Sequence, residues 1–223
     1  MDPRKYISET TVPVLGELVR ILPDSLIIFS GILALLTSSL SNLTFFGSLI
    51  EGLGIFHLIK FITSSLGATF SKPSDSYSSI ACKTGFMTPS FTDLSLFGAD
   101  PTNTFPSAPM YILSVGAAYL ITSLGKQIPE LQALGPEFSA RYYISVVMLC
   151  TLLFVVGSYR LYSSCESVGG IVVSILLGLL VGTLILYQNY TLFGPDSTNM
   201  LGIPLLKDRT VNGEKIYVCS VNP

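Results

Sequence analysis

Apolar residues along this chain gather into long uncharged runs separated by short polar breaks. Each run can be measured against the roughly 20 residues a helix needs to cross about 30 Å of hydrocarbon. Five are read as spans: about Leu26 to Leu40, Phe45 to Leu66, Ala108 to Leu124, Tyr142 to Tyr159 and Val168 to Tyr190. Ahead of them Val14, Leu15, Leu18, Val19 and Leu22 share one face at helical spacing, with Glu17 and Arg20 opposite. That pattern predicts a short amphipathic helix lying in the membrane interface and ended by Pro23. The opening Met1-Asp2-Pro3-Arg4-Lys5 lacks the early apolar core of a signal peptide, so the chain is expected to begin at Met1.

Two stretches depart from the apolar pattern. Residues 67 to 107 are rich in Ser, Thr, Pro and Asp and predict a long extramembrane loop that folds against the protein or binds a partner. The tail after Thr191 is polar, and Asn212-Gly213, between Thr210-Val211 and Glu214-Lys215-Ile216-Tyr217-Val218, predicts a type I′ hairpin. The expected protein is therefore an all-α integral membrane protein, a bundle of about five transmembrane helices. An interfacial segment (1–24) precedes the bundle (25–190, with the loop 67–107), and a tail (191–223) with a small β-hairpin follows it.

Composition agrees and removes several functions. Only 12% of residues are charged, about half the usual share of roughly 25%, and the mean hydropathy is +0.62. Twelve basic and fourteen acidic residues leave a net charge of −2, without the basic footprint that nucleic-acid binding requires. One histidine and four scattered cysteines (Cys82, Cys150, Cys165, Cys219) show no CxxC or HExxH spacing, so neither a metal nor a cofactor is expected. Cys150, inside an apolar run, reads as a small buried hydrophobe, and the cysteines leave the compartment open. In a five-span topology Arg4, Lys5, Arg20, Lys72, Lys83 and Arg160 share one face and Lys126, Arg141, Lys207, Arg209 and Lys215 the other. This bias leans, by a single residue, toward a cytoplasmic N-terminus. The sequons Asn42-Leu43-Thr44 and Asn189-Tyr190-Thr191 lie so close to the hydrocarbon that they read as coincidence.

Glu51, His57 and Lys60 share the second span as a candidate intramembrane polar cluster. An unpaired ionisable group at membrane depth costs about 2.5 to 3.5 kcal/mol on insertion scales. A small ion or proton transporter would want acids on neighbouring spans, which carry none, so pairing and snorkelling at helix ends is the preferred reading. Gly178-x-x-x-Gly182 has the spacing that lets two membrane helices approach closely.

Three polar stretches follow one another in an informative order: Ser71-Lys72-Pro73, Thr104-Phe105-Pro106-Ser107-Ala108-Pro109, and Ser158-Tyr159-Arg160-Leu161-Tyr162. In order, spacing and placement, over about residues 60 to 185, they resemble the signatures of the type 2 phosphatidic acid phosphatase superfamily. These are helical membrane enzymes that hydrolyse lipid phosphates through a phosphohistidine. In the first signature Ser65 stands at the Lys position, Lys72 at the Arg position, and Pro73 matches; in the second Pro106 and Ser107 match while Ala108 and Pro109 replace Gly and His. In the third Arg160 matches, Glu166 stands at the nucleophilic His and Gly170 at the orienting Asp. The resemblance implies a catalytically degenerate relative, in which Lys72, Ser107 and Arg160 remain as a remnant anion site opposed by Glu166; Arg160 with Glu166 reads more simply as an internal ion pair at the mouth of the bundle. Ile80-Ala81-Cys82-Lys83-Thr84-Gly85 and Arg141-Tyr142-Tyr143-Ile144-Ser145 are similar to stretches of uncharacterised membrane proteins of large DNA viruses, which implies a membrane beneath a capsid.

The functional expectation is a non-enzymatic, multi-pass membrane scaffold or accessory subunit. It would anchor a larger assembly to the bilayer through loop 67–107 and the tail, as a minor capsid or inner-membrane component of a virion or in an organellar membrane complex. The competing expectations are a lipid-phosphate phosphatase-like enzyme or binder, and a small transporter.

Overall fold

The computed structural model describes residues 12–65, 82, 105–134, 136–200, 210–211 and 214–215. Its helices are α1 (Val12–Thr37), α2 (Leu40–Ser65), α3 (Ala108–Lys126), the short α4 (Ile128–Leu134), α5 (Pro136–Tyr162) and α6 (Val168–Phe193), followed by a 3₁₀ turn at Pro195–Thr198. Among the described residues five helical segments are long and apolar enough to cross a membrane: Gly16–Thr37, Leu40–Ser65, Ala108–Lys126, Tyr142–Tyr162 and Val168–Phe193. This is the architecture of a helical, multi-pass integral membrane protein.

The outward surface fits a lipid solvent. Leu176, Leu180 and Leu184 form an exposed stripe along α6, and Phe29, Leu35, Val147, Met148 and Phe154 are exposed on α1 and α5. Water-soluble monomers rarely show apolar patches on that scale. Inside, α3 is the central helix, with every residue from Pro109 to Tyr119 buried. A helix that is apolar all round is one surrounded by neighbours. Its Tyr111, Ile112, Val115 and Tyr119 pack with Phe45, Leu49, Leu53 and Phe56 of α2 and with Val181, Ile185 and Leu186 of α6. On another side Met110 and Leu113 meet Val19, Val156 and Ile171.

The expected glycine contact is present and lies between α6 and α3. A Cβ on Gly178 would sit 2.6 Å from the Tyr111 carbonyl oxygen and 2.7 Å from Ser114 Cβ. One on Gly182 would meet the Val115 carbonyl oxygen directly. Without side chains at these two positions the α6 backbone rests on that of α3.

Alternating helix directions give the bundle two ends. One, the N-terminal face, holds the starts of α1, α3 and α6 and the ends of α2 and α5; a Cβ on Gly16 of α1 would meet the Tyr159 hydroxyl of α5 there. The other, the C-terminal face, is closed by the 3₁₀ turn. Thr44 donates to the Ser197 carbonyl at 2.5 Å, Ser123 donates to the Thr198 carbonyl, and Ser197 Oγ donates to the carbonyls of Asn189 (3.2 Å) and Gly194 (2.7 Å). A polar turn whose carbonyls accept from two helices and whose serine donates to a third can sit at the edge of the hydrocarbon.

Several expectations need correction. Among the described residues the run Val14–Leu22 is not a separate interfacial helix, because α1 runs through Pro23 without a break. Proline is more readily accommodated in membrane helices than in soluble ones, and α1 continues past it with Ser25 Oγ donating to the carbonyl of Ile21, one turn back, at 2.7 Å. Val14 and Leu18, assigned to the apolar face, are exposed, while Val19 is buried. Because the first span begins at Gly16 rather than Leu26, it carries an acid, the buried Asp24, where none was expected on a span neighbouring α2. The break between the first two helices falls at Ser38-Ser39 rather than at Ser41-Asn42. Ser38 adopts a left-handed φ of 48°, and Asn42 Nδ2 reaches back to Thr37 Oγ1 at 2.8 Å. Helix α4 and the first turn of α5 extend structure into a stretch not read as helical. Cys150 is exposed on α5 instead of buried. The expected C-terminal hairpin is not established as an element. Only Thr210–Val211 and Glu214–Lys215 are described, paired Thr210↔Lys215 and Val211↔Glu214, far short of a stable strand pair. Most of loop 67–107, the segment 1–11 and the rest of the tail lie outside the described residues.

Candidate functional site

Among the described residues, a buried ion pair and a disulfide come together on the N-terminal face, where α5 ends and α6 begins. Five residues, Ser163 to Ser167, join the two helices, with Ser164 at a left-handed φ of 53°. Ser167 caps α6 by accepting the Gly170 N–H at 3.1 Å. This tight reversal carries Glu166 back over the last turn of α5. Arg160 Nε donates to Glu166 Oε1 at 2.8 Å and Arg160 Nη2 approaches the same oxygen at 2.6 Å. Both side chains are almost wholly buried, 3% and 5% exposed. A second bond runs from Arg160 Nη2 to the Cys82 carbonyl at 3.4 Å. Cys82 is itself disulfide-bonded to Cys165, with Cα atoms 5.2 Å apart across 83 residues of sequence.

Removing one partner of such a buried pair leaves an uncompensated charge at a cost of about 3 to 5 kcal/mol. The pair therefore fixes the geometry of the α5–α6 connection. Glu166 Oε2 is buried and has no hydrogen-bond partner among the described residues.

Of the three residues expected to remain as an anion site, two are among those described. Arg160 and Ser107 share this face. Ser107 is buried at the start of α3, where its Oγ accepts the Met110 N–H at 3.4 Å and its N–H donates to Ser174 Oγ at 2.6 Å. Ser174 Oγ in turn donates to the Gly170 carbonyl at 2.7 Å. Ser107 thus acts as a helix cap and a link from α3 to α6. Lys72 lies outside the described residues.

Glu51, His57 and Lys60 do not form one cluster. At about 100° per residue, the nine-position offset from Glu51 to Lys60 places them on opposite sides of α2. Glu51 Oε1 accepts from Gln188 Nε2 of α6 at 3.0 Å. His57 and Lys60 are buried one turn apart on another side, and the His57 ring stands edge-on to Phe56 with centroids 5.5 Å apart.

Toward the C-terminal face, Asn189 Nδ2 donates to Ser48 Oγ at 2.7 Å, and Ser48 Oγ donates to the Thr44 carbonyl at 2.6 Å. Lys126 Nζ sits 3.6 Å from the Tyr190 ring centroid and 4.2 Å from that of Tyr187, a cation–π arrangement suited to a headgroup boundary. Among the described residues no group of His, Cys, Asp or Glu is placed to hold a metal ion.

Sequence reasoning anticipated the Arg160–Glu166 pair and missed the disulfide that encloses it. The signal was present in the topology, since five spans put Cys82 and Cys165 in two connections on the same face. Comparison with protein-family models, curated proteins and solved structures finds no match.

Proposed function

We propose that this chain is a non-catalytic, multi-pass membrane scaffold or accessory subunit that anchors a larger assembly to a bilayer, with the internal membrane of a virion as its setting. One observation carries the reading: the Glu166 carboxylate occupies the Arg160 guanidinium. Phosphohistidine chemistry needs an imidazole nucleophile and free cationic donors for the phosphoryl oxygens. In this chain a carboxylate stands at the nucleophile's position and neutralises the matching arginine. A lipid-phosphate enzyme or binder would have to break a buried ion pair before its ligand could enter. Transport has little support either, because Glu51 is turned away from His57 and Lys60 and is already bonded to Gln188.

With the spans committed to packing and to lipid, the polar segments 67–107 and 191–223 hold most of the groups available for recognising a partner. Cross-linking mass spectrometry on native membranes or particles tests the proposal. Links from Lys83, Lys207 or Lys215 to other proteins are expected, and a chain with only internal links would overturn it.

A further inference from the structure

Cys82 and Cys165 are both 2% exposed and joined by a disulfide. Cys165 belongs to the α5–α6 connection, and Cys82 is the one described residue between Ser65 and Phe105. The Arg160 bond to the Cys82 carbonyl holds the same point by a second, non-covalent link. Cys82, in the sequence that joins α2 to α3, is thus fastened to the N-terminal face of the bundle. Structural disulfides form and persist in oxidising compartments, whereas the cytosolic thiol pools keep cysteines reduced.

Each end of a membrane bundle faces a single compartment. We infer that the N-terminal face, carrying the start of α1, segment 66–104 and the α5–α6 connection, lies in an oxidising, non-cytosolic compartment. The C-terminal face, with α4, the 3₁₀ turn and the tail, then faces the cytosol. The bond forms by exchange: the thiols of Cys82 and Cys165 lose two protons and two electrons to a protein disulfide of the oxidising compartment, which is released as a dithiol.

Charge does not oppose this orientation. The lean toward a cytoplasmic N-terminus rests on six basic residues against five, and one of the six, Arg160, is buried against Glu166. The sequons agree as well, since both lie on the C-terminal face with a key group engaged. Asn189 Nδ2 is bonded to Ser48, and Thr44 Oγ1 to the Ser197 carbonyl. Neither has to be reached by lumenal glycosylation. A consequence is that segment 66–104 and the tail meet different compartments, so one partner cannot hold both.

The test uses the full-length chain inserted into endoplasmic-reticulum microsomes. Asp93→Asn completes a glycosylation tripeptide with Leu94 and Ser95, and Asp208→Asn completes one with Arg209 and Thr210. The first variant should gain a glycan-sized, endoglycosidase-sensitive increase in mass, and the second should not. Glycosylation of the Asp208→Asn variant, alone or together with the other, would overturn the orientation. Should neither variant be modified, Cys219 decides: labelling by a membrane-impermeant maleimide in intact vesicles supports the inference, and labelling only after permeabilisation refutes it. In parallel, free thiols are blocked, the membranes reduced, and newly exposed thiols tagged with a polyethylene-glycol maleimide. Two tags per chain are expected, lost in the Cys82→Ser/Cys165→Ser double variant. An untagged wild-type chain would show that the bond does not form and would remove the premise.

Discussion

Adding a single methyl group at Gly178 tests the packing of the bundle directly. A Cβ there would lie 2.6 Å from a backbone oxygen and 2.7 Å from a carbon of α3, against about 3.5 to 4.0 Å for carbons at optimal separation. Backbone cannot rotate away as a flexible side chain can, so α6 and α3 must part by about 1 Å. A gap of that size forfeits roughly a quarter to a half of each van der Waals contact along the seam. Overpacking of this kind costs about 1 to 3 kcal/mol. Gly→Ala also gains about 0.8 to 1 kcal/mol of helix propensity, which would mask part of the loss. Gly54→Ala on α2 provides the reference, because nothing lies within 4 Å of its added methyl. Propensity then cancels, and Gly178→Ala should be less stable than Gly54→Ala by the overpacking cost alone. For a chain of this length that corresponds to a melting temperature lower by roughly 2 to 12 °C. The assay is the fraction of detergent-solubilised protein still monodisperse by size-exclusion chromatography after heating. Equal melting temperatures for the two variants would refute the close contact between α3 and α6.

Three further outcomes follow from named contacts. Glu166→Ala should destabilise the chain by about 3 to 5 kcal/mol through the stranded Arg160 charge, whereas the double replacement Arg160→Met/Glu166→Leu should recover most of the loss in the same thermal assay. The Ser48–Asn189 bond should give a coupling of about 0.6 kcal/mol, and no more than about 1.7, in a double-mutant cycle of Ser48→Ala and Asn189→Ala, measured by reversible unfolding in mixed micelles. Purified protein should release no more phosphate from phosphatidic acid than Ser107→Ala does. That control must first be shown to fold, since it removes the α3 cap at a cost of about 1 kcal/mol.

Much of the membrane architecture was legible in the sequence, because spanning a bilayer is a property of length and charge that each segment carries by itself. The Gly178–Gly182 contact was legible for a related reason: few uses other than close approach explain small residues spaced one turn apart on an apolar helix. Arg160 and Glu166 could be paired from sequence since only six residues and one tight connection separate them. What hydropathy does not carry is the difference between protein and lipid. Both are apolar, so Cys150 on the lipid side of α5 and Tyr111 at the centre of α3 sit in runs of the same kind, and only the packing of helices separates exposed from buried. The same holds for Pro23. Its local tendency to end a helix was overridden by an apolar environment that offers unbonded backbone no water. The disulfide depends on two connections 83 residues apart reaching the same end of the bundle. That is a fact of topology, and no local pattern around either cysteine contains it.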